Sequence, residues 1–298
     1  MTTRQKIRVA LVGAGAAGQA HAFGYRNVSM AAGLDVVDID LAVVVDPNVA
    51  LARRTADRYG YTDATADLQR VIDDPAIDAI SVALPNSVHA EVLPAILRSG
   101  KHVLTEKPIG RSASEAATLV ALAEQSTAVT GVGFSFRRLP GLAAVRNLLA
   151  DGAIGSVQSF TAWYNADYGA SPDAPFSWRY AKESAGAGAL IDIGTHAIDA
   201  VQHVIAPIQQ VISATLHTAI TQRPIPNSTE FGVVDTDDIA LLTVQTTDGA
   251  IGQIHANRIA SGIPNSLGLQ IHGSRGHARF DSIASGEFHL HTNDGNAI

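Results

Sequence analysis

The densest run of proton-handling side chains in the sequence is Asp192, His196, Asp199 and His203, spaced i, i+4, i+7 and i+11. On a helix this spacing lays all four along one face. Three chemistries fit such a stripe. It is a solvated face with no reaction to perform; or it is a metal site, offering carboxylates and imidazoles at ligand spacing although the pattern is not H-E-x-x-H; or it is an acid–base pair, with a carboxylate one turn before a histidine to orient the ring and stabilise imidazolium. A second reactive candidate is Lys107, which with Glu106 directly follows the apolar segment His102–Thr105. A lysine at the end of a buried strand is unusual. Beside a bound ligand it can polarise a hydroxyl or carbonyl oxygen; at the surface it merely pairs with Glu106.

The elements that must position these groups fall into two halves. Residues Ile7 to Val12 read as a strand, followed by Gly13, Ala14, Gly15, Ala16, Ala17 and Gly18 and a helix-compatible stretch from Gln19 to Val28. The spacing Gly13-x-Gly15-x-x-Gly18 is that of a dinucleotide loop: a tight turn, a close approach to pyrophosphate, and close packing of helix on strand. Phosphates would rest on free N–H groups at the helix start. The run Leu41 to Val45 supplies a second strand ending at Asp46, whose carboxylate can take the ribose hydroxyls and repel a 2′-phosphate, so NAD is favoured over NADP. Asp46 lies 28 residues after Gly18 (46 − 18), which implies an insertion around Met30 to Asp40. Further strands are expected at 78–84, 102–105 and 129–132, with helices at 49–59, from 67, at 88–98 and, capped by Ser112, through Glu124. This alternation predicts a doubly wound parallel sheet with ligands over the carboxyl ends of its strands, where Leu84, Pro85, Asn86, His89, Glu106 and Lys107 lie. His89 is placed there by position, although a lone histidine is more often structural than a participant, and His21, Asp199 and His203 are likewise read as structural.

From about Gly133 the alternation fades. Strands are expected near 157–163, 211–218, 239–246, 250–257, 267–272 and 278–280, with helices at 142–149 and about 195–204. The fold class expected is therefore α/β, an N-terminal Rossmann sheet followed by an α+β domain with a mostly antiparallel open sheet. The division is 1–131 for NAD binding and 132–298 for substrate binding and oligomerisation. A sheet with one uncovered face implies a homodimer or homotetramer built through it.

Composition narrows the partners. The net charge is −7 with no basic block, so nucleic acid is not an expected partner. There is no cysteine, which removes disulfides and thiolate chemistry and is compatible with a cytoplasmic setting. No apolar stretch is long enough to span a bilayer.

The chain resembles the Gfo/Idh/MocA family (glucose-fructose oxidoreductase and inositol dehydrogenase). The matching features are Gly13-x-Gly15-x-x-Gly18, Pro85-Asn86-x-x-His89, Glu106-Lys107-Pro108, Gly133-Phe134-x-x-Arg137-x-x-Pro140, Trp178-Arg179, and Gly188-Ala189-Leu190-x-Asp192-x-Gly194-x-His196-x-x-Asp199. The resemblance implies NAD as cofactor, no metal, and a sugar or polyol substrate. It also implies a catalytic set of Lys107, Asp192 and His196: His196 takes the hydroxyl proton, Lys107 polarises the oxygen, and Asp192 orients the imidazole or binds a neighbouring hydroxyl. Trp178 and Arg179 are expected near nicotinamide or substrate, and Asn165, Asp167 and Arg258 near sugar hydroxyls. The expected activity is an NAD-dependent dehydrogenase of a sugar, cyclitol or anhydrosugar, of the inositol or levoglucosan branch. The alternatives are a redox-neutral NAD-dependent glycosidase and a non-catalytic NAD- or sugar-binding regulator. Three departures accompany the resemblance. The Gly-Gly-Gly run reads Ala185-Gly186-Ala187-Gly188, Ser135 replaces an asparagine, and the sequence ends at Asn293 to Ile298 where relatives continue, so a truncated C-terminal domain is expected.

Overall fold

The computed structural model describes residues 5–30 and 37–293. Residues 31–36 of the expected insertion and 294–298 of the polar end lie outside the described residues. The chain divides into two compact units, Met1–Gly133 and Phe134–Ile298.

The first unit alternates strand and helix: β1 (Gln5–Val12), α1 (Ala16–Arg26), β2 (Val37–Val45), α2 (Val49–Tyr59), β3 (Asp63–Thr65), α3 (Leu68–Asp73), β4 (Ala79–Val82), α4 (Asn86–Arg98), β5 (His102–Thr105), α5 (Ala113–Glu124) and β6 (Thr130–Val132). The strands form one parallel sheet in the order β3-β2-β1-β4-β5-β6. Its central strands are continuous apolar runs because both faces are covered: Val9 to Val12 and Ala42 to Val45 are all buried. Side-chain oxygens start the helices where the sequence supplies them. Asn48 accepts from the Leu51 N–H, Asp67 from Arg70 and Ser112 from Glu115.

Two differences from the sequence pattern have simple causes. Strand β2 begins at Val37, not Leu41, because Asp38 and Asp40 occupy its outer half, where Asp40 is paired with Lys6 and Arg8 of β1. Strand β3 has only three residues, too few for a periodic signal, so the segments read as the third to fifth strands are β4 to β6.

The second unit contains α6 (Pro140–Ala150), β7 (Val157–Asn165), α7 (Lys182–Ala185), α8 (Thr195–Val204), β8 (Ile208–His217), the hairpin β9 (Gln222–Pro224) and β10 (Phe231–Val233), β11 (Ile239–Thr246), β12 (Ile251–Asn257), β13 (Ser266–Gly273), β14 (Gly276–Asp281) and β15 (Phe288–Thr292). Seven strands form a sheet in the order β15-β14-β13-β7-β12-β11-β8, antiparallel except where β12 meets β7. Helices α6 and α8 cover one face. There Leu142 and Val145 of α6 and Ala197, Val201 and Val204 of α8 pack with Phe160, Ala162, Ile254, Leu267, Leu269 and Phe280 from alternate strand positions. No helix among the described residues is long and apolar enough to cross a membrane.

Candidate functional site

Within the first unit, the residues singled out by sequence lie just past the carboxyl ends of strands, except His89, which sits inside α4. Gly13 to Gly18 follow β1, Asp46 follows β2, Leu84 to Asn86 follow β4, and Glu106 to Pro108 follow β5. The glycines are imposed by space. A Cβ on Gly13 (φ +98°) would stand 2.2 Å from the Ala83 carbonyl oxygen, and one on Gly18 would stand 1.9 Å from that of Gly13. At Gly15 a Cβ would meet nothing within 4 Å, so the backbone there borders open space. Gly15 is also the N-cap of α1, with no side chain capping the helix start. An open glycine cradle beneath uncapped helix amides fits the pyrophosphate of a dinucleotide.

The Asp46 carboxylate braces this loop, Oδ2 accepting from the Ala14 N–H at 2.9 Å and Oδ1 from that of Asn48 at 2.8 Å. The turn-forming and ribose-binding readings of Asp46 are therefore compatible, since each oxygen keeps a lone pair. Gly18→Ala is expected to lower the melting temperature and to weaken NADH binding by about tenfold or more, because only backbone can yield. Thermal denaturation and NADH fluorescence titration check this, and an unchanged affinity would show that the loop is not the cradle.

Beyond β5, Lys107 is half-buried and its N–H donates to Glu106 Oε2 at 3.3 Å. Glu106 Oε1 accepts from His21 Nε2 at 3.0 Å. His89 is wholly buried and donates from Nδ1 to the Pro108 carbonyl at 2.7 Å. Lys107–Pro108 is a cis peptide.

In the second unit, the segment carrying Asp192 and His196 is a composite. Residues Leu190–Gly194 form a π-turn, from which α8 continues at Thr195. Such turns recur at functional sites. Its start is fixed by Asp237, whose carboxylate accepts from the N–H groups of Gly188 (2.7 Å) and Leu190 (2.8 Å). The approach is so close that a Cβ on Gly188 would lie 1.9 Å from the Asp237 carbonyl oxygen. This is why the Gly-rich entry to the helix must end in glycine.

The four-residue stripe does not act as one unit. Asp192 Oδ2 accepts from the Tyr168 hydroxyl at 2.8 Å and lies 3.5 Å from Arg179 Nε. His196 is buried, its ring flanked edge-on by Phe134 and Phe136 at 5.8 and 5.0 Å and stacked on Tyr164 at 5.7 Å. Asp199 is taken by a bidentate pairing with Arg137. His203 is a half-buried residue whose pKa is lowered by burial and then by the nearby Arg137 and Arg146. Desolvation, and then the Asp192 carboxylate, push the Tyr168 phenol upward, so it stays a donor at neutral pH.

The remaining candidates surround this region of the unit. Asn165 ends β7 and Asp167 follows two residues on, both half-buried. Trp178 and Arg179 share a 3₁₀ turn, with the Arg179 guanidinium 4.5 Å above the indole. Arg258 differs from its expected sugar-facing place. It is fully buried and donates to Asp238, to Thr236 and to the Arg179 carbonyl.

Known families account for both halves. The NAD-binding Rossmann fold of the oxidoreductase family matches residues 7–134, and the Gfo/Idh/MocA C-terminal domain matches residues 142–279. The chain belongs to the Gfo/Idh/MocA family. It is an NAD-binding oxidoreductase of the dehydrogenase kind, similar to enzymes named for sugars and cyclitols. Levoglucosan dehydrogenase of Pseudarthrobacter phenanthrenivorans is 34% identical over 293 residues, which is 93% of this chain and 74% of that one. The NAD(+) scyllo-inositol 2-dehydrogenase of Bacillus subtilis is 26% identical over 253 residues, 85% of this chain and 68% of that one. Among solved structures, levoglucosan dehydrogenase in complex with NADH and L-sorbose matches with a TM-score of 0.94 at 32% identity, covering 99% of this chain and 80% of that chain.

Several residues of this Gfo/Idh/MocA oxidoreductase escaped sequence reasoning: Tyr168 on Asp192, the aromatic ring set around His196, and His21 on Glu106. Tyr168 sits beside Asp167 in the same loop, which is the one signal that pointed to it. Burial also makes stability pH-dependent. His89 and His255 titrate below the ordinary 6.5 because burial disfavours their charged forms. Between their folded pKa values and 6.5 the unfolded chain binds more protons, so their contribution is complete above about pH 6.5 and declines as pH falls further. The melting temperature is expected to drop from about pH 7 to about pH 5, and less so in His89→Asn; a flat profile in the wild type would contradict neutral burial.

Proposed function

We propose that this chain oxidises a secondary alcohol of an anhydrosugar, sugar or cyclitol, with levoglucosan-type and inositol-type substrates as the first candidates. The observation that carries the reading is the pairing of Asp192 with Tyr168 and Arg179 one turn before the buried His196, in a chain similar along its length to a levoglucosan dehydrogenase. Bound NAD supplies the hydride acceptor. Residues 1–131 hold the nucleotide, with Gly13 to Gly18 under the pyrophosphate and Asp46 on the ribose; Leu84 to Asn86 border it. Residues 132–298 hold the substrate, where Asn165, Asp167 and Arg179 meet its hydroxyls and Trp178 walls the pocket.

His196 acts as general base and takes the hydroxyl proton. Its aromatic surround restricts water and fixes the plane of the ring. Lys107 donates to the same oxygen and stabilises the charge that develops as the proton leaves. Asp192, held by Tyr168 and Arg179, orients the imidazole or accepts from a neighbouring hydroxyl. The exposed apolar residues Leu241 and Ile251, on the sheet face opposite the core residues Ala240 and Ile254, support a homo-oligomer formed through it.

The test is NADH absorbance during a screen of levoglucosan, inositols and aldoses with NAD and NADP in parallel. Reduction of NAD by at least one of these is expected, with NADP poorer by about tenfold or more through repulsion at Asp46. Activity with NADP alone would overturn the Asp46 assignment, and absence of NAD reduction across the screen would overturn the substrate class.

A further inference from the structure

Two histidines that the proposed reaction leaves unused both end on the segment carrying Lys107. His21 lies on α1, three residues beyond Gly18. Its Nδ1 meets Ser81 Oγ at 2.8 Å and its Nε2 meets Glu106 Oε1 at 3.0 Å. A carboxylate can only accept, so Nε2 carries the hydrogen. Burial pushes the Glu106 pKa up, but the His21 hydrogen bond and charge and the Lys107 N–H outweigh it and hold the carboxyl below its ordinary value. The second oxygen of this carboxylate receives the Lys107 N–H. On the other side, His89 donates to the Pro108 carbonyl, and burial keeps its ring neutral, so the hydrogen stays on the nitrogen that faces the carbonyl. The residue before Lys107 and the residue after it are thus each tied to an imidazole.

We propose that His21 and His89 are positioning residues that fasten the Glu106–Pro108 segment at both ends and so set where Lys107 presents its ammonium. His21 also ties that setting to the helix that begins at the dinucleotide loop. The proposal rests on the role given above to Lys107. A lysine side chain has four rotatable methylene links, so the backbone from which it springs sets where its ammonium can reach. A misplacement of about 1 Å at a reacting centre costs about 10²-fold in rate, so a ring-to-carboxylate tie at Glu106 and a ring-to-carbonyl tie at Pro108 have a direct kinetic value. Neither ring needs to touch substrate.

The experiment uses the full chain without ligand. It is labelled with a limiting amount of acetic anhydride, and acylation is read by mass spectrometry at each lysine. The sequence has four, Lys6, Lys101, Lys107 and Lys182, so three serve as internal references. In His89→Leu and His21→Leu, Lys107 is expected to react about threefold faster or more relative to the references, a loosening on the order of RT. In His89→Asn, whose amide nitrogen takes the place of Nδ1, it is expected to stay at the wild-type ratio. Turnover of levoglucosan with NAD is expected to fall by about tenfold or more in His89→Leu and to recover largely in His89→Asn, with NADH affinity unchanged within about twofold.

An unchanged Lys107 ratio in folded His89→Leu overturns the proposal, as does an equal change in His89→Asn, which would assign the effect to packing and not to the N–H donor. His89→Gln, which keeps bulk but moves the donor to the Nε2 position, replaces the leucine variant should that chain not fold, with the same outcomes. Lys107→Met is assayed beside them. Full turnover there overturns the role of Lys107, while the labelling ratios still decide whether the histidines hold the segment.

Discussion

Arg258→Met is expected to destabilise the second unit by about 3–5 kcal/mol, because it leaves a buried carboxylate with no cation. Arg258 and Asp238 are both wholly buried, and Arg258 Nε donates to Asp238 Oδ1 at 2.9 Å. The other carboxylate oxygen accepts from the N–H groups of Ala219 and Ile220, each at 2.9 Å. The remaining donors of Arg258 hold the Thr236 carbonyl and hydroxyl and the Arg179 carbonyl. The guanidinium groups of Arg223 and Arg258 both lie over the Tyr180 ring, 4.2 and 4.7 Å from its centroid. Removing Arg258 therefore unpairs Asp238 and frees the backbone of Arg179, whose guanidinium faces Asp192. At about 2–4 °C per kcal/mol for a unit of this size, the melting temperature should fall by roughly 6–20 °C. Urea unfolding followed by tryptophan fluorescence measures the loss. Arg258→Met combined with Asp238→Asn should recover part of it, since the neutral amide removes the uncompensated charge. A single-variant loss below about 1 kcal/mol would mean that water or another group compensates Asp238.

That network also marks where the sequence stops being legible. The glycine loop could be read because Gly13 and Gly18 are forced by backbone clashes, and a forced residue leaves a spacing in the chain. The central strands could be read because burial on both faces demands unbroken apolar runs. Asp237, Asp238, Arg223 and Arg258 could not. A charged residue looks the same in sequence whether it is solvated or neutralised by a partner twenty residues away, and Arg258 was accordingly placed at the sugar. His196 was legible as a type at a spacing, but its enclosure was not, because Phe134, Phe136 and Tyr164 come from a turn and a strand that only tertiary packing brings to α8. Asp192 was expected on a regular helix; the π-turn around it follows from the docking of Gly188 on Asp237, a contact 49 residues apart in the chain. His21 reads as one more polar residue on α1 until Glu106 is seen beside it.

The catalytic assignment makes the other large prediction. His196→Ala is expected to lower kcat by about 10²–10⁴-fold, the usual contribution of a positioned base, equivalent to about 2.7–5.4 kcal/mol at 1.36 kcal/mol per decade. NADH binding should stay within about twofold, since the nucleotide cradle belongs to the other unit. A protonated imidazole cannot accept the hydroxyl proton, so the part of any acid-side fall in rate that belongs to this ring should be lost with it. Neighbouring substitutions separate orientation from proton transfer. If Asp192 works through the imidazole, Asp192→Asn should cost less than His196→Ala and nothing further in the His196→Ala background, because two changes in one chain of action do not add. If it binds a substrate hydroxyl, its cost should persist there as a raised KM. Tyr168→Phe removes only the donor to Asp192 and should be the mildest of the three, shifting rate by about tenfold or less. Full turnover by His196→Ala with NADH still bound would move the base elsewhere; the expected order of cost is His196 over Asp192 over Tyr168, which touches the reaction only through Asp192.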